Sequence, residues 1–188
     1  MKGYTGRPSA TGRFAWSFAV VAGALALGCG SDTGSVGQVG AAVGGTTIVR
    51  MDIKPGSCPN PIQCRAQGVL PVAVTGAFDF DVRDIDPASV LLEGVAPVRW
   101  SYEDVATPFF PDDGVVDDCF EDCWTERGDG FTDLSLKFDK QAVVQSLEDQ
   151  GVSLDFDACV ALQLTGELTP EAGGTEFQAW DTVRSVCR

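Results

Sequence analysis

Residues 132–138 read TDLSLKF, and their alternation decides the fold class. Leu134, Leu136 and Phe138 fall on one side; Asp133, Ser135 and Lys137 fall on the other. A period of two predicts a β-strand with one face in a core and one toward solvent. Similar runs recur along the chain. Residues 46–54 (TTIVRMDIK), 69–75 (VLPVAVT), 89–92, 97–105 (PVRWSYEDV), 158–168 and 175–186 each read as a strand bounded by Gly, Pro or Asp. VLPVAVT is apolar on both faces and so belongs in the core, while Pro71 places it near an edge or a bulge. After Phe138 the texture changes. Asp139 suits an N-cap, and residues 140–147 (KQAVVQSL) suit a short helix with Val143, Val144 and Leu147 inward. About seven short strands with turns between them predict an all-β domain over residues 46–188. The expected architecture is an antiparallel, immunoglobulin-like β-sandwich with one short helix.

The strand is entered from the most acidic part of the chain. Residues 103–133 (EDVATPFFPDDGVVDDCFEDCWTERGDGFTD) hold eleven carboxylates against one base, Arg127. Charges this dense repel one another and need a counter-charge, solvent or both. Residues 128–134 (GDGFTDL) are similar to the second half of an Asp-rich calcium loop, in which oxygens ligate the ion and Gly lets the chain turn around it. No complete EF-hand is present: no Glu stands at the required distance, and Thr125 and Arg127 occupy earlier ligand positions. Glu103 or Asp104 supplies missing carboxylates if the intervening segment loops out. The expected ligand set for Ca²⁺ is therefore Glu103, Asp104, Asp129 and Asp133. The alternative is a solvated acidic loop held by a disulfide.

The chain begins with features of export. Lys2, Arg7 and Arg13 precede an apolar run at 14–27, which is shorter than the roughly 20 residues of a membrane span. It ends Ala26-Leu27-Gly28-Cys29, which resembles a bacterial lipobox with Ala26 in place of the usual Leu. That resemblance implies a signal peptide over 1–28 and a lipidated Cys29 anchoring the protein to the membrane. Gly30 after the Cys favours the outer membrane over the inner. An ordinary signal peptide cut nearby is the alternative. Residues 29–45 then form a flexible Gly-rich tether, reaching about 22 Å. Loss of residues 1–28 removes three of 13 bases and none of 27 acids, leaving a net charge of −17.

Six cysteines remain beyond Cys29, an even number that reads as disulfides in an oxidising compartment. Proximity in sequence pairs Cys58 with Cys64 and Cys119 with Cys123. Cys159 and Cys187 flank a turn near 169–174 and face each other across a hairpin. Cys119 and Cys123 lack the further partners of a metal site and the spacing of a redox pair.

Composition excludes several functions. The chain has no histidine, which removes Ser-His and Cys-His catalysis and most zinc sites. So acidic a protein does not neutralise nucleic-acid phosphates. A carboxylate-dependent hydrolase remains only as a third reading, because nothing selects one pair among so many acids. Trp100, Tyr102, Trp124 and Trp180 read mainly as core residues. Trp124, inside the acidic stretch, is the exception: exposed there, it would stack on a glycan or meet a surface protein.

Several segments together resemble a recurring bacterial secreted domain found in exported and surface proteins. They are MDIKPGSCPNP (51–61), GVLPVAV (68–74), DIDPASVLLEGVAPVR (84–99), EDV (103–105), DGFTDLSLKF (129–138) and LTGEL (164–168). The resemblance spans about 46–187 and carries no established biochemical activity. In many relatives the Glu-Asp-Val runs directly into the calcium-type loop. Here residues 106–127 intervene, which leaves Asp129 and Asp133 matched to the pattern. The expected function is non-enzymatic: a calcium-stabilised structural or adhesive lipoprotein of the cell envelope.

Overall fold

The computed structural model describes residues 46–109, 116 and 118–188; the expected signal peptide, the expected tether and Cys29 lie outside the described residues. Among the described residues, nine strands and one α-helix form: β1 (Thr47–Ile48), β2 (Met51–Ile53), β3 (Pro61–Ile62), β4 (Val69–Val74), β5 (Leu91–Leu92), β6 (Arg99–Glu103), β7 (Asp133–Asp139), α1 (Lys140–Asp149), β8 (Cys159–Glu167) and β9 (Glu176–Ser185). They make two sheets. One has the order β2-β4-β7-β6; the other has the order β1-β9-β8-β5, with β3 also on β9.

The predicted strand at 46–54 is two strands in different sheets. Val49 N–H donates to Gln178 O on β9, while Arg50 O accepts from Thr75 N beyond β4. The chain therefore changes sheet between adjacent residues. β1 and β3 run parallel to β9, which corrects the wholly antiparallel expectation; the other pairings are antiparallel.

One apolar cluster lies between the sheets. Ile53, Val72, Leu134, Leu136 and Phe138 come from the first sheet, and Leu92, Leu162, Leu164 and Phe177 from the second. Burial of each such side chain contributes roughly 1.5–3 kcal/mol. The helix adds Val143, Val144 and Leu147, as its periodicity predicts. Its N-cap is Asp139, whose carboxylate accepts the Gln141 and Ala142 N–H groups.

Two strand readings change. β4 is an interior strand, despite Pro71. The proline is tolerated because β2 has ended at its level: Lys54 donates to Pro71 O at 2.8 Å and turns away with φ 60°. β7 is not half-buried. Asp133 and Ser135, on its polar side, are 0% and 2% exposed. The segment following β6 and the Cys123–Trp124 corner cover that outer face of the sheet.

Candidate functional site

Glu103 and Asp133 are direct register partners on β6 and β7. The two flanks of the acidic stretch are thereby brought together, as the sequence predicts. Asp104 then reaches across: Oδ1 accepts the Asp129 N–H at 2.9 Å and Oδ2 the Gly130 N–H at 3.0 Å. Asp129 Oδ1 accepts the Phe131 N–H at 2.9 Å, closing a tight turn. Thr107 Oγ1 donates to Arg127 O at 2.8 Å across the same neck. Gly128 is required by this packing, since a Cβ there would lie 2.5 Å from Asp104 Oδ1. Glu103 accepts from the Ser101 hydroxyl.

Asp133 is used differently. It is fully buried, and its oxygens accept Gly76 N at 3.0 Å, Val105 N at 2.8 Å and Ala106 N at 2.9 Å. Burial pushes its carboxyl up, with a contribution from the Asp129 charge, and the three N–H groups oppose the shift. Much of the counter-charge in this neck thus comes from oriented backbone dipoles. Asp133 binds the chain to itself, which leaves Glu103, Asp104 and Asp129 as the expected ligands with oxygen capacity turned outward. Among the described residues, no three cysteine or carboxylate side chains are disposed to hold a metal ion.

The six domain cysteines all form disulfides, but none of the three expected pairings, Cys58–Cys64, Cys119–Cys123 and Cys159–Cys187, occurs. The bonds are Cys58–Cys123, Cys64–Cys187 and Cys119–Cys159. A tight turn separates Cys119 from Cys123: Asp118 Oδ1 accepts Phe120 N at 2.7 Å and Glu121 N at 2.9 Å. That turn sends the two sulfurs to different partners. One bond holds the segment between β6 and β7 to the loop between β2 and β3, and another holds it to β8. With separations of 65, 123 and 40 residues, each bond removes roughly 4–5 kcal/mol of unfolded-chain entropy in the loop-closure account. Local pairs would remove far less.

Sequence reasoning missed an acid pair beneath the insertion. Met51 and Ile53 point into the core, so Asp52 points to the outer face, opposite Ala73. It is only 8% exposed, and its Oδ2 has no hydrogen-bond partner. Burial first, and then the Asp181 charge, push its carboxyl up to about 8. Asp181 on β9 is better solvated by the protein. Its oxygens accept Ile53 N at 2.6 Å, Thr182 N at 2.7 Å and Asn60 Nδ2 at 3.3 Å. Burial still raises it, to about 7. Asp52, Asp122, Asp181, Phe109, Trp124 and Trp180 border a cavity of about 20 Å³, room for a single water. Alternation alone puts Asp52 on a polar face; only the covering segment turns that face into an interior.

Trp124 is 42% exposed and lies against Phe109, with ring centroids 5.7 Å apart. Trp100 and Tyr102 are also exposed, which corrects their reading as core residues. They meet edge-on at 5.5 Å on β6, an edge strand, and the Arg83 guanidinium sits 5.7 Å from the Tyr102 ring.

No family model, curated protein or solved structure matches the chain. Its chemistry is therefore read from its own residues: a disulfide-stabilised β-rich domain in which the acidic segment between β6 and β7 is fastened to the β2–β3 loop and to β8.

Proposed function

We propose that the chain is a non-enzymatic, exported module of the cell envelope, anchored through a lipid on Cys29, with a structural or adhesive role. In this reading the two sheets form an immunoglobulin-like β-sandwich, and the tether holds it off an outer membrane. The observation that carries the reading is how the acids are used. Asp104, Asp129 and Asp133 accept backbone N–H groups, and two disulfides fasten the surrounding insertion. Such a segment is built for rigidity. Calcium belongs to the proposal as a further stabiliser, held by Asp104 or Asp129 together with backbone carbonyl oxygens of the neck, because Glu103, Asp104 and Asp129 do not converge as a three-carboxylate site. Asp133 leaves the expected set, because its lone pairs already serve three donors.

The test is a melting series. Tm rises with millimolar Ca²⁺, falls with chelator, and responds less in Asp129→Ala. A melting curve indifferent to Ca²⁺ removes calcium from the proposal. The anchor is tested separately: Cys29→Ser releases the protein from the membrane fraction, and retention there overturns it.

The half-exposed Trp124, together with Trp100 and Tyr102, favours a second reading as a glycan- or protein-binding module. Retention of the wild type on a polysaccharide array, lost in Trp124→Ala without loss of folding, would support it. No retention on any glycan counts against the glycan form.

A further inference from the structure

Bases are scarce beyond the export signal: ten against 27 acids. Four of the ten nevertheless gather on one concave strip. Lys54, Arg127 and Lys137 border a cavity of about 350 Å³ with Pro55, Pro71 and Val105. Lys54 and Pro71 also border an adjoining cavity of about 370 Å³, whose second base is Lys140. Among the described residues, no acidic side chain lines either cavity. Among the described residues, no carboxylate is seen in an ion pair with any of the four bases.

The bases are also held in place. Lys54 has a left-handed backbone, a strained state for a residue with a side chain, and its Nζ donates to Pro61 O at 3.0 Å. Lys137 Nζ donates to Ser135 Oγ at 3.2 Å. The Arg127 side chain lies over Gly56, where a Cβ would come within 2.6 Å of Nε. Burial and the charge of Lys140 both push the Lys54 ammonium below its ordinary range. Among the described residues no carboxylate offsets that repulsion, and a bound anion would relieve it. Long-range repulsion from the acidic remainder does not forbid such a ligand, since charges are screened beyond about 8 Å at physiological salt.

We infer that this strip binds an oxyanion, carboxylate or phosphate, carried on a small ligand whose apolar face rests on the proline floor. Paired cations above an apolar floor, in a volume typical of ligand pockets, are suited to that chemistry. The site does not rest on the calcium reading.

The test is an NMR titration of the isotope-labelled mature chain with glucuronate, inorganic phosphate, and glucose as the neutral control. Saturable shifts of the Gly56 and Val105 amides are expected with glucuronate, phosphate or both, and none with glucose; the active arm identifies the anion. Lys137→Gln and Arg127→Gln should each weaken binding by roughly tenfold, with Arg83→Gln unaffected and all three melting as the wild type. Should a glutamine variant fail to fold, the wild-type titration at raised NaCl decides, because binding must weaken with salt. The inference is overturned by no saturable shift with either anion at millimolar concentration, by equal shifts with glucose, or by binding indifferent to both the substitutions and salt.

Discussion

The carboxylate of Asp181, on β9, accepts the backbone N–H of Ile53, on β2, at 2.6 Å. The bond joins the two sheets at the point where Asp52, one residue earlier, is left with an unpartnered oxygen. A buried acceptor that serves three donors and a neighbour with an unpartnered oxygen will not tolerate the same charge equally. Asp181 ionises more readily, and Asp52 keeps its proton.

Stability should therefore fall as pH rises, opposite to the usual effect of carboxylates. Both groups ionise near pH 4 in the unfolded chain, at about 3.9, but at about 7 and about 8 in the fold. Between these limits the folded state holds more protons, so their contribution is complete below about pH 4 and lost through about pH 8. Asp118 has the opposite sign: the Phe120 and Glu121 N–H groups lower its carboxyl, so its contribution is present above the ordinary carboxylate range and is lost only as pH falls below it. Asp52→Asn should flatten the slope and raise stability at pH 8 by about 1–3 kcal/mol. Denaturant titrations at pH 5 and pH 8 check this. An unchanged slope in the variant would show that Asp52 is not the group responsible.

Asp133→Ala should be among the most damaging single changes. It strands three N–H groups at the join of β4, β6 and β7, at a cost of about 3 kcal/mol or more. Gly76→Ala probes the same join from the other side, since its Cβ would lie 2.2 Å from Thr132 O. Both variants should shift the denaturation midpoint far more than Glu103→Ala, whose side chain is exposed.

Asp104→Ala should act locally. The Asp129 and Gly130 amides lose their acceptor, and their hydrogen exchange should quicken while core amides on β7 stay protected. Global unfolding at the same denaturant concentration as the wild type would accompany that result. Unaltered exchange at both amides would mean that Asp104 does not hold the loop.

The disulfide map is checked by peptide mapping without reduction. Peptides joined through Cys58–Cys123, Cys64–Cys187 and Cys119–Cys159 are expected. Replacing Cys119 and Cys159 together by Ser should cost roughly 4 kcal/mol and loosen the insertion from β8.

The strands and the helix were readable because alternation and capping are local signals. Leu134, Leu136 and Phe138 announce β7, and Asp139 announces α1. The meeting of Glu103 with Asp133 was also readable, since each ends a recognisable strand. What escaped was whatever depended on a distant segment. Ser135 and Asp52 have the spacing of solvent-facing residues, and only the segment after β6 and the Cys123 corner bury them. Trp100 and Tyr102 have core-facing spacing, but β6 is an edge and the core does not reach them. The change of sheet at Val49–Arg50 has no clear signal, because the alternation from Val49 to Lys54 runs straight through it. Cysteine partners depend on the finished topology and not on spacing.

That pairing has a consequence for how the protein is made. If the chain enters an oxidising compartment from its N-terminus, Cys64 reaches Cys58 first, and Cys119 and Cys123 arrive together. Short loops close fastest, so the first bonds formed would be the wrong ones. Cys187, 123 residues further along the chain, must arrive before Cys64 can find its partner. Maturation then depends on thiol–disulfide exchange, with a thiolate attacking a misplaced bond until the long-range set is reached. Secretion yield should accordingly track the supply of disulfide isomerase more closely than the supply of oxidant.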